Sequence, residues 1–97
     1  MAGLIRAVEA AGGFAAVLHK GERDAGSILV VLAEKGGSAR LFERVPDATG
    51  HRIWTCTRHQ DPENSYDFNQ YLARRQGSDP DLWIVELDIA DGERFIG

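Results

Sequence analysis

The chain has 97 residues, 43% of them apolar and 27% charged, which supports one compact domain over residues 1–97 with a core that needs neither metal nor disulfide. Fifteen acidic against eleven basic side chains leave a net charge of −4, which excludes a polybasic, histone-like role. The single cysteine, Cys56, excludes an intramolecular disulfide, and no apolar run nears the ~20 residues that span a bilayer. With no secretion signal legible at the amino terminus, a cytoplasmic protein without a membrane partner is expected.

Leu4, Ile5, Val8 and Ala11 repeat at the spacing of one helical face, and Gly12-Gly13 supplies the stop. Phe14 to His19 reads as a short strand, followed by a polar connection from Lys20 to Gly26. Ser27 to Ala33 is the most apolar and β-branched run, with both faces covered, which puts it in the middle of a sheet. Lys35 to Ser38 makes a turn, Ala39 to Val45 a strand, Pro46 to Gly50 another turn, and His51 to Arg58 a fourth strand. Asp61-Pro62-Glu63 opens a helix whose inner stripe is Phe68, Tyr71, Leu72 and Arg75, ended by Gly77 and Asp79-Pro80. Leu82 to Ile89 is the last strand, with Trp83, Val85, Leu87 and Ile89 on one face. The fold class expected is α+β: a two-layer sandwich with a mostly antiparallel sheet of about five strands and two helices, in the order α-β-β-β-β-α-β. Short connections make the first four strands hairpin neighbours, while the place of the last strand is not readable.

Four segments occur in a familiar order: Ala10 to Leu18, Asp24-Ala25-Gly26, Glu43-Arg44-Val45, and Asp79-Pro80-Asp81-Leu82-Trp83-Ile84-Val85-Glu86-Leu87. Together they resemble the small alphaproteobacterial family catalogued as domain of unknown function 1491, over nearly the whole chain. The resemblance implies the fold class and a bacterial, cytoplasmic setting, and supplies no activity, cofactor or catalytic residue. Relatives tend to carry an extra stretch before the first helix, where this chain has Met1 almost abutting it. Either the start is genuinely short or something is missing, and an edge element of the fold goes with it.

One constellation stands out. If the Pro46–Gly50 turn sets Arg44 opposite Arg52, then Phe42 faces Trp54 and Arg40 faces Cys56, with Arg58 one step beyond. Arg40, Phe42, Arg44, Arg52, Trp54 and Arg58 then share a sheet face, where opposed like charges ask for a phosphate or carboxylate and the aromatic pair could stack on a base. The plainer reading, which carries more weight, has the arginines stacked on the rings and paired with acids elsewhere in an acidic chain. A one-residue slip of register disperses the set.

Other groupings read as structural. Cys56, His59, Asp61 and Glu63, with His19 and His51, offer zinc-type ligands, but no second pair completes a set and Cys56 and His59 point oppositely on a regular strand. A thiol mechanism on Cys56 lacks anything to lower its pKa. Gly21 to Gly26 has the spacing of a phosphate loop without its Lys-Ser/Thr ending, and Trp83 reads as an anchor between the second helix and the sheet. No catalytic residue, cofactor or metal is therefore expected. The leading reading is a non-catalytic binding or adaptor module that meets a protein partner or its own copy at a sheet edge. Phosphate-ligand or single-stranded nucleic-acid binding is the alternative, and an enzyme using Cys56 and histidines trails.

Overall fold

The computed structural model describes residues 2–22, 27–34 and 38–96. Most of the expected Lys35–Ser38 turn and of the Gly21–Gly26 connection lies outside the described residues. The elements are α1 (Ala2–Ala10), β1 (Phe14–His19), β2 (Ile28–Ala33), β3 (Arg40–Pro46), β4 (Arg52–His59), α2 (Ser65–Ser78), β5 (Trp83–Asp88) and a 3₁₀ turn (Gly92–Phe95) that the sequence reading did not anticipate. Class, strand number and element order agree with the expectation. α1 ends where Gly12 takes a φ of +90°, a conformation that a side chain would strain. α2 starts later than expected. Asp61 instead closes a separate turn, its carboxylate accepting from Glu63 N–H (2.9 Å) and its carbonyl from Asn64 N–H (3.0 Å).

The strands lie in the order β1-β5-β2-β3-β4, with β5 parallel to β2 and every other pairing antiparallel. The expected β1–β2 hairpin is therefore corrected: β5 inserts between them. Residues 19–22 run against the start of β5 and hold this insertion in place. The His19 ring donates from Nδ1 to the Leu82 carbonyl (2.6 Å), Glu22 N–H donates to the Asp81 carbonyl (2.9 Å), and the Trp83 indole donates to the Glu22 carbonyl (2.8 Å). Gly21 lies so close to the Asp81–Leu82 backbone that a Cβ would overlap it.

Alternation along the central strands builds two cores. Val30, Leu32, Phe42, Val85 and Leu87 face α1 and the 3₁₀ turn, meeting Val8 and Ile96. Leu29, Val31, Ala39, Leu41, Leu82 and Ile84 face α2, which contributes Phe68, Tyr71 and Leu72. The sandwich expected from the sequence is thus refined: the helices cover opposite faces and the sheet is the middle layer. Trp83 is corrected too, since its alternation with Val85 and Leu87 sets it on the side away from α2.

Candidate functional site

The β3–β4 hairpin carries the residues singled out above, and its turn decides where they fall. Asp47 accepts hydrogen bonds on one carboxylate oxygen from Thr49 N–H (2.8 Å), Thr49 Oγ1 (2.7 Å) and His51 N–H (3.1 Å), and Gly50 adopts φ +88°. These bonds from Thr49 outweigh a small cost of burial and hold the Asp47 carboxyl below its ordinary pKa. The turn sets Pro46 opposite Arg52, Arg44 opposite Trp54 and Phe42 opposite Cys56. That is two residues from the expected register, so the parity of the face survives while every pairing changes. Arg44 meets a tryptophan instead of Arg52, and the like-charge clash vanishes.

A bulge follows. Leu41 pairs with Arg58, leaving Thr57 as the extra residue, and the parity of β4 reverses beyond it. Arg58 goes to the α2 face, where its guanidinium sits 3.7 Å from the Tyr71 ring centroid. Arg40 stays on the α1 face, 5.3 Å from the Phe42 ring, and pairs with Glu93 of the 3₁₀ turn. Arg44 lies 5.9 Å from the Trp54 ring. Of the six residues, Arg40, Phe42, Arg44 and Trp54 are brought together with Arg52 at the same parity, and Arg58 is not. The bulge also returns Cys56 and His59 to one side, with Sγ 3.6 Å from Nε2. Among the described residues no third His, Cys, Asp or Glu joins them in a metal-binding group.

The β2–β3 ladder stops at Val30↔Phe42 although β2 reaches back to Ile28 and β3 runs on to Pro46. The strands splay there, opening a cleft of about 280 Å³ lined by Ser27, Ile28, Leu29, Glu43, Arg44, Arg52, Trp54 and Arg75. Glu43, only 7% exposed, is the buried acid of this corner. It accepts from Thr57 Oγ1 (2.5 Å) and Tyr71 Oη (3.0 Å) and pairs with Arg75 Nη1, which also donates to Tyr71 Oη (2.8 Å). Burial pushes the Glu43 pKa up, but the hydrogen bonds from Thr57, Arg75 and Tyr71 and the Arg75 charge together outweigh it and hold the carboxyl below its ordinary value. Arg44 and Arg52 are exposed at the mouth, and neither has an ion-pair partner among the described residues.

The two sheet edges differ. β4 presents Arg52, Arg58 and His59 and carries the bulge, features that discourage strand pairing. β1 reads Phe-Ala-Ala-Val-Leu before His19, with Phe14 77% and Leu18 49% exposed. Its pairing with β5 is regular from Phe14 to Val17 and shifts register after it. Beside β1, Leu18, Glu86 and Asp88 line a shallow groove against Phe68 and Leu72 of α2.

The family model for the protein of unknown function DUF1491 matches residues 1–97. The chain belongs to the DUF1491 family. A crystal structure of a DUF1491 family protein from Caulobacter crescentus CB15 superposes with a TM-score of 0.78 at 37% identity, covering 97% of this chain and 87% of that one. An NMR structure of a DUF1491 family protein from the same organism gives 0.77 at 36% identity, covering 98% and 86%. The solution structure of a protein from A. tumefaciens gives 0.75 at 30% identity, with 98% and 86% covered. Curated proteins yield no match. Among the described residues of this DUF1491 protein, no helix is long and apolar enough to cross a membrane.

Sequence reasoning missed the Glu43–Arg75–Tyr71–Thr57 network. Its signal was there: Glu43 continues the period-two set Ala39, Leu41, which faces α2, and Arg75 stands in the inner stripe of α2. An acid and an arginine on two surfaces that pack together must find one another.

Proposed function

We propose that this DUF1491 protein is a non-catalytic binding module that takes a protein partner by strand addition along β1. The observation that carries this reading is the contrast between the edges. β4 is guarded by charge, whereas Phe14 to Leu18 offer an uncharged edge with Phe14, Val17 and Leu18 exposed. Natural sheets rarely leave an apolar edge unguarded unless something pairs with it. An extended segment would gain main-chain hydrogen bonds from the edge and specificity from alternate side chains beside Phe14 and Leu18. The Glu86 carboxylate bordering the groove favours a partner strand with a basic residue.

The test is selection of displayed peptides on the immobilised protein, followed by amide-shift mapping, with sedimentation equilibrium over a wide concentration range. The expected result is extended, apolar-basic peptides that perturb residues 14–18 and are lost in Phe14→Lys/Leu18→Lys. Self-association with the same footprint supports the reading with a second copy as the partner. A strict monomer that selects no peptide mapping to β1 overturns it.

A further inference from the structure

We propose that the cleft between β2 and the β3–β4 hairpin is a binding site for a small oxyanion, the phosphoryl or carboxylate group of a compact ligand, held by Arg44 and Arg52 with Arg75 as a third donor. The site lies across the sheet from β1 and stands independently of strand addition. Three arginines and one acid line the cleft in a chain whose net charge is −4. The acid does not cancel the exposed pair, because Glu43 is already engaged by Arg75, Tyr71 and Thr57. Two guanidiniums at the mouth therefore keep their charge without a described counter-ion.

The cleft is also organised before any ligand arrives. The described hydrogen bonds of Arg75 to Glu43 and Tyr71 both leave from Nη1, so the side chain is held in place while other donors of the fork have no described hydrogen-bond partner. Arg44 is steadied over Trp54. Where β2 and β3 part company, the ladder bonds that would join Ile28 to Arg44 are not made, so main-chain groups of both strands border the cleft. With Arg75 and Arg44 already held, an oxyanion in this small volume needs little ordering beyond that of Arg52.

Size and charge select the ligand class. About 280 Å³ is at the small end of cavities that hold small molecules, which typically run ~300–1,000 Å³. A nucleic-acid strand needs a track of several phosphate contacts. Here the track is broken: Arg58 is stacked on Tyr71 and does not line the cleft, and Arg40 is tied to Glu93. One anionic group fits; a polyanion does not.

The experiment follows amide and indole N–H resonances at low ionic strength while inorganic phosphate, phenyl phosphate and succinate are added, each against sodium chloride at equal ionic strength. The expected result is saturable shifts at Ser27–Leu29, Arg44, Arg52 and the Trp54 indole for at least one of the three. Arg52→Ala should weaken that binding by about tenfold, the loss of one charge-assisted contact, with an unchanged melting temperature. Tighter binding of the phosphates names a phosphoryl ligand, and tighter binding of succinate names a carboxylate. Shifts no larger than those of chloride, or shifts equally strong in Arg52→Ala, overturn the proposal. Neither result bears on whether peptides pair with β1.

Discussion

At the scale of single residues, Glu43 is the buried charged side chain among the described residues. It is a carboxylate in a strand that otherwise faces apolar neighbours, and it is tolerated because three side chains donate to it. Glu43→Gln removes the charge that Arg75 needs while keeping the shape. A fully buried pair would cost more, but the Arg75 side chain is 34% exposed and water screens part of the loss, leaving about 1–3 kcal/mol. The melting temperature should fall by about 5–15 °C for a domain of this size. The pH dependence has a definite sign. Because the folded pKa of Glu43 lies below its ordinary 4.5, its contribution is complete above that value and is lost as pH falls through the lowered one. Wild type and Glu43→Gln should therefore differ by a constant amount above about pH 5.5 and converge on acidification below 4.5. Denaturant melts of both proteins across that range check it, and a difference that grows on acidification would contradict the assignment.

At the scale of elements, the hairpin shows what a sequence conveys and where it stops. The strands β3 and β4 were legible from composition to within one residue at each end, and so was the inner stripe of α2. Their register was not. Pattern alone cannot distinguish the seven-residue connection that leaves Arg44 opposite Arg52 from the five-residue loop, residues 47–51, that Asp47 closes, because the two registers differ by two and keep the same parity. The Thr57 bulge is a second event of this kind: it sends Arg58 away from the arginine face and brings Cys56 beside His59, with no residue type in β4 that announces it. The turn is therefore the element to perturb. Gly50 sits at φ +88° with open space around it, so Gly50→Ala adds strain without a clash and should cost about 1 kcal/mol. Asp47→Ala removes the three acceptor contacts, and the amides of Thr49 and His51 should exchange faster while β2 and β5 remain protected. Unchanged exchange at these two amides would show that the backbone alone fixes the turn.

At the scale of the whole molecule, the decisive event is the entry of β5 between β1 and β2, and hydrophobic pattern carries only part of it. β2 announces its central position because Leu29 and Val31 are as apolar as Val30 and Leu32. β5 does so less clearly, since Glu86 and Asp88 imitate a solvent face; they lie on the α2 side beyond the cover of the helix, in the groove next to Leu18. What β5 does share with β2 is apolar residues of both parities, Ile84 toward α2 and Leu87 toward α1. That arrangement makes a sharp prediction. If the sheet were packed on one face only, truncating these two side chains would give one large and one small loss of stability. With a helix on each face both sites are buried, Ile84 at 2% and Leu87 at 0% exposure. Ile84→Ala and Leu87→Ala should each cost about 2–5 kcal/mol in urea unfolding, the range for removing a large aliphatic side chain from a packed core. Because the two residues contact different helices across the sheet, their combined loss should also come close to the sum. A loss within about 0.5 kcal/mol of zero for either one would mean that its helix does not cover that face, and would return the fold to two layers.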